Sequence, residues 1–131
     1  MKHSARALHK PAPDDHCGKG KTVTTAQKVD WDTMAWDSVR EGVERKLCIG
    51  EQATLALHRV SASASTVAHA HPQEQFVYVL GGRVKYDVGH DTHFLNAGDV
   101  LVVPPNVVHR SETVSAEPAV TLDVFAPKRD Y

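Results

Sequence analysis

From Gly42 onward the chain breaks into short runs rich in Val, Leu, Thr and aromatic residues. The segments "IGEQ", "LGGR", "VGHDT", "NAGD" and "PPN" divide them. Gly, Pro, Asn and Asp in such clusters end a strand and turn the chain. Strands are therefore expected near 43–49, 53–60, 65–71, 75–80, 83–88, 92–95, 100–103, 108–114 and 119–125. Many short strands separated by Gly-containing turns specify an all-β fold, a sandwich or a small barrel. At 131 residues the chain makes one domain with a real core.

Before Gly42 the character is different. Residues 1–28 are polar, contain Pro and Gly and show no period, which predicts a tail or extended arm ahead of a single barrel domain over 29–131. Within "VDWDTMAWDSVR", residues 29–40, one helical turn is expected, with Trp31 and Trp36 as packing anchors. Fifteen Lys and Arg against 16 Asp and Glu give a formal charge of −1, with no basic stripe, so neither nucleic acid nor a membrane surface is the expected partner. No apolar run approaches the roughly 20 residues of a membrane span. The first residues lack the apolar stretch of a secretory signal, so a cytoplasmic location is expected. Cys17 and Cys48 form no CxxC pair and read as a tail thiol and a small core residue, not as a disulfide or a thiolate site.

Two segments carry chemistry. "HAHPQEQFVYVLGG", residues 69–82, sets His69 and His71 two apart, and on an extended strand residues i and i+2 project to one side. "GDVLVVPPNVVH", residues 98–109, ends an apolar strand in Pro104-Pro105, turns at Asn106 and delivers His109. His69, His71, His109 and Gln75 can then surround one cation. Glu74 is the competing ligand, but parity places Gln75 with Val77 and Val79 on one face, and Glu74 with Phe76, Tyr78 and Leu80 on the other. Imidazole serves zinc, nickel, manganese, iron and copper alike, so one divalent transition metal per chain is expected without its identity. Three neutral imidazoles and a neutral amide leave a +2 charge uncompensated, which favours anionic oxygen ligands and Lewis-acid chemistry.

The last strand, in "AVTLDVFAPKRDY", is ambiguous. Thr121, Asp123 and Phe125 share one face and Val120, Leu122 and Val124 the other, and hydrophobicity alone would send the latter inward. On the strand after the histidines both faces are apolar. Large side chains at Phe76, Tyr78 and Leu80 on the outside of a small barrel predict a homodimer through that sheet, or residues 1–40 laid across it. His3, His9, His16, His58, His90 and His93 read as tail, strand and turn residues.

The two motifs together resemble the cupins, over roughly residues 42–127. The first cupin motif matches His69, His71, Gln75 and Gly81, and the second matches Gly98, Pro104 and His109, with Asn106 where the family has glycine. Asn tolerates the left-handed backbone of such a turn. The resemblance implies a jelly-roll barrel. Within the cupins, "GVERK", "HAHPQEQ", "GDVLVVPPNVVH" and "DVFAPKRD" are similar to the KdgF-type group, which linearises 4,5-unsaturated uronates from pectin or alginate to 5-keto-4-deoxyuronates. That resemblance implies a metal held by His69, His71, Gln75 and His109, Asp123 as the catalytic acid–base group, and Phe125 and Arg129 against a small anionic sugar acid. It also turns Asp123 inward. A ligand-binding cupin without turnover, or another metal-assisted cupin enzyme such as a polyketide cyclase or a dioxygenase, fits the same motifs, because one scaffold hosts many functions.

Overall fold

The computed structural model describes residues 16–17 and 25–131. Most of the expected arm, with His3 and His9, lies outside the described residues. The described chain starts with β1 (His16–Cys17), then a 3-10 turn at Trp31–Thr33 and β2 (Asp37–Arg40). The strands β3 (Val43–Ile49), β4 (Thr54–Val60), β5 (Glu74–Gly81), β6 (Arg83–Val88) and β7 (Asp91–Asn96) follow. The last three are β8 (Val100–Val103), β9 (His109–Thr113) and β10 (Ala119–Ala126). No helix among the described residues is long and apolar enough to cross a membrane.

Seven strands form one sheet in the order β1-β3-β4-β10-β5-β8, with β2 on β3, and β7-β6-β9 form the second. This is the jelly-roll barrel that the resemblance implies, and it falls within the sandwich or small barrel expected from the punctuated strand pattern. β10 is the last strand in the chain but lies in the middle of the large sheet, antiparallel to β4 on one side and β5 on the other. Inside, Val77, Val79, Val84, Tyr86, Leu95, Val103 and Ala119 pack as one cluster, and Leu47, Ala56 and Phe125 as another. The hairpin from β5 to β6 closes at Gly82 with φ +74°, where a Cβ would stand 2.8 Å from the Ala119 Cα and the Pro118 carbonyl. Only glycine fits that turn.

Three local expectations are corrected. Residues 65–71 do not form a strand; Ser65 and His69 make isolated bridges to Glu112 and His109. Pro72 follows directly, and proline supplies no N–H to continue a ladder. Residues 29–40 hold the expected helical turn but also β2, which pairs with β3. There the buried residue is Met34, while Trp31 and Trp36 are half-buried. Trp36 packs under the charged ends of Lys46 and Arg59, 4.6 and 4.2 Å from its ring centroid. Finally, Cys48 is disulfide-bonded. The only other cysteine in the sequence is Cys17, whose backbone pairs with Cys48 in the parallel β1–β3 register.

Candidate metal centre

His69 and His109 face each other across the isolated bridge and exchange backbone hydrogen bonds, His69 N–H to His109 O at 3.0 Å and the reverse at 2.9 Å. His71 is fixed two residues on, where its carbonyl accepts from the Asn106 N–H at 2.8 Å. Asn106 adopts the left-handed conformation anticipated for it, φ 64°. The turn between β8 and β9 thus clamps the segment that carries the histidines. The ligand-capable atoms of His69, His71 and His109 lie within 4.8 Å of one another, with His71 and His109 buried and His69 exposed.

The tautomers follow from the backbone. Nδ1 of His69 lies 2.6 Å from the Val67 carbonyl, that of His71 3.0 Å from Gln73 O, and that of His109 2.8 Å from Val107 O. A carbonyl only accepts, so each Nδ1 carries the proton and each Nε2 presents a lone pair. Burial, aided by Arg129, holds the His71 imidazole below its ordinary pKa, and burial does the same for His109. Both stay neutral and able to ligate. His109 Nε2 is buried without a hydrogen-bond partner. Three neutral imidazoles with lone pairs converging and the opposite nitrogen tied to backbone form a donor set that fits a divalent metal.

Gln75 stands beside the imidazoles on β5. It is buried, whereas Glu74 is half-buried on the other face, as parity requires. Its Nε2 donates to Asp123 Oδ2 at 3.1 Å, which leaves Oε1 facing His71 Nε2 at 3.0 Å. The Asp123 carboxylate selects this orientation, because the reverse would set amide oxygen against carboxylate oxygen. Two acceptors then face one another at His71 and Gln75, a contact that a cation relieves.

β10 turns Thr121, Asp123 and Phe125 inward and leaves Val120, Leu122 and Val124 half-buried outside. The ambiguity of this strand is resolved against hydrophobicity. Asp123 is 3% exposed. Its Oδ2 takes Gln75 and lies 3.2 Å from His58 Nδ1, while Oδ1 is buried and unpartnered. Phe125 packs edge-on against His71, ring centroids 5.4 Å apart. Arg129 is anchored through its backbone, with N–H to Thr54 Oγ1 at 2.9 Å and its carbonyl accepting from that hydroxyl at 2.8 Å. Its guanidinium lies 5.2 Å from the Phe125 ring and 4.9 Å from that of Tyr131.

These groups border a cavity of about 250 Å³ whose lining includes His69, Gln75, Asp123, Phe125 and Arg129. It also includes His58, Tyr86, Arg40 and Arg45, which the sequence did not single out. Burial pushes the Tyr86 phenol far above its usual range, with the Asp123 charge adding to it, so Tyr86 keeps its proton. His58 read as an ordinary strand residue. The signal was the alternation of β4, where Leu55 and Leu57 share one face and Thr54, Ala56 and His58 the other.

A small jelly-roll barrel with three imidazoles converging inside one end defines a metal-capable barrel protein, and relatives narrow the class further. The Cupin domain family model matches residues 56–125. This chain belongs to the cupin domain family. An uncharacterized protein of Streptomyces coelicolor is 30% identical over 84 residues, 64% of this chain and 73% of that one. Among solved structures, KdgF from Halomonas sp. superposes with a TM-score of 0.76 at 22% identity, covering 81% of this chain and 97% of that one. A deletion mutant of Bacillus subtilis oxalate decarboxylase matches with a TM-score of 0.65 at 25% identity, over 70% of this chain and 28% of that one.

Proposed function

We propose that the protein is a metal-dependent enzyme that opens the ring of 4,5-unsaturated uronates to the 5-keto-4-deoxy acids. The observation that carries the reading is the bare Oδ1 of buried Asp123, held beside the imidazole cluster by Gln75 and His58. A general base needs an atom free to reach the proton it takes, on a side chain held in place. Here Oδ2 is fixed and Oδ1 is free. The fold-level likeness to KdgF from Halomonas sp. supports the same class.

The chemistry is an isomerisation. Asp123 Oδ1 takes the proton of the C1 hydroxyl, the bond from C1 to the ring oxygen breaks, and the electron pair leaves as an enolate on C5. Return of the proton to C4 gives the 5-keto product, so atoms and charge balance. His69, His71, Gln75 and His109 would hold a divalent metal, which supplies Lewis-acid stabilisation of the carboxylate and enolate oxygens. Arg129 pairs with the substrate carboxylate, Phe125 walls the ring, and Tyr86 offers a hydroxyl donor.

The test follows loss of the enol-ether absorbance of pectin- and alginate-derived unsaturated monomers against the spontaneous rate. Metal-loaded protein should accelerate it, and Asp123→Asn should keep metal and fold while losing about 10²–10⁴-fold. Acceleration absent on both monomers rejects the uronate reading.

A further inference from the structure

Among the described residues, three buried side-chain atoms have no hydrogen-bond partner: His109 Nε2, Asp123 Oδ1 and Arg45 Nε. Asp123 and Arg45 line the same cavity, and His109 stands in the imidazole cluster whose His69 lines it too. Leaving a buried polar group unpaired is costly, the more so when it is charged. Two of these atoms belong to residues of the cavity wall and the third to the imidazole cluster beside it, and together they describe what a bound molecule must offer. The first is a lone pair for a cation and the second an acceptor for a hydroxyl. The third is a donor that requires an acceptor, and nothing in the chemistry above uses it.

Arg45 projects inward from β3, opposite His58 of β4 in the antiparallel register. Its guanidinium carbon lies 4.2 Å from the centroid of the Tyr131 ring, and that of Arg129 4.9 Å from the same centroid. One aromatic ring therefore organises both cations. Arg40 also reaches the cavity, but its Nη2 donates to the Ser65 carbonyl. Among the described residues no acidic side chain pairs with Arg45 or Arg129, and Asp123 is the only acidic side chain in the cavity lining. Three guanidiniums against one carboxylate make an anion site even before a metal is counted.

We propose that Arg45 is a specificity-determining residue. With Arg129, on the ring of Tyr131, it forms a two-guanidinium clasp for the carboxylate of a hydroxylated acid whose hydroxyl reaches Asp123 Oδ1. The planar fork of Arg gives parallel N–H bonds to a carboxylate, which the ammonium of Lys does not reproduce. The inference rests on the sugar-acid reading of the cavity, yet it is testable without turnover.

The experiment measures binding of D-galacturonate, D-glucuronate and neutral D-galactose to metal-loaded protein, by calorimetry and by the rise in melting temperature. Wild type should bind an acid and ignore galactose. Arg45→Met should weaken acid binding about 10- to 100-fold with metal content unchanged. Arg45→Lys should recover only a small part. If Arg45→Met fails to fold, the Lys variant decides. Equal binding of acid and galactose, no binding of either acid, or wild-type acid affinity in the Lys variant overturns the clasp. A preference for acids that depends on Arg45, without acceleration of ring opening, rejects the uronate reading and leaves the clasp standing.

Discussion

Gln75 links the imidazole cluster to Asp123, because its amide faces two ways. Oε1 faces His71 Nε2, and Nε2 donates to Asp123. A glutamate there would present an oxygen to both, setting two carboxylates about 3 Å apart. Gln75→Glu should therefore retain metal by elemental analysis and still lose at least about 10²-fold in turnover, since Asp123 loses its donor. The histidines make a pH prediction whose sign is fixed by burial. His71 and His109 have folded pKa values below the ordinary 6.5. Folding stability from these groups is complete above about 6.5, where the unfolded chain is also neutral, and falls as the pH drops toward the folded values. Metal, which needs the same neutral rings, should persist below pH 6.5 and be released only under stronger acid, as read by dialysis and metal analysis across pH.

At the scale of elements, the turn between β8 and β9 decides whether the ligands meet. Asn106 sits at φ 64°, and its N–H ties down the His71 carbonyl. Asn106→Gly should be nearly neutral, whereas a β-branched Val is strained there by about 1–3 kcal/mol. Urea unfolding of the two variants, with their metal content, checks this. This turn was legible in the sequence, since "PPN" announces it and only Asn or Gly suits its backbone. So was the inward placement of Gln75, because β5 alternates cleanly. The histidine segment was half legible. His69 and His71 do lie together, but through a single bridge and a proline rather than through a strand. β10 was not legible from hydrophobicity, since it sends Asp123 and Thr121 inward and keeps Leu122 and Val124 outside, and the resemblance alone pointed the right way. His58 hid for the same reason. A barrel with a polar site inside and apolar side chains outside inverts the usual pattern, and a single strand does not declare which rule it obeys.

The whole molecule carries an apolar outer face. Phe76, Tyr78 and Leu80 on β5 are 36%, 42% and 46% exposed, and Val100 and Val102 of β8 stand beside them in register. The described part of the segment ahead of Gly42 rests elsewhere, with Trp36 over Lys46 and Arg59 on β3 and β4. A second copy placed on the β5–β8 face would bury this patch, and the proposed assembly is a homodimer through it. Light scattering should give twice the chain mass, and Tyr78→Lys, which puts like charges opposite one another across the two-fold, should give a monomer. A monomeric wild type at high concentration rejects the assembly.

The central place of β10 has a consequence in time. During synthesis β4 and β5 emerge with their edges open, because the strand that joins them is made only after the rest of the barrel. The pairings that close the large sheet are long-range in sequence, and contacts of that kind are slow to form. A nascent chain halted before Ala119 exposes two unpaired strand edges, a template for association with other chains. The strand that carries Asp123 and Phe125 is also the one that seals the sheet, so folding of the barrel and assembly of its site are one event, completed from the C-terminal side.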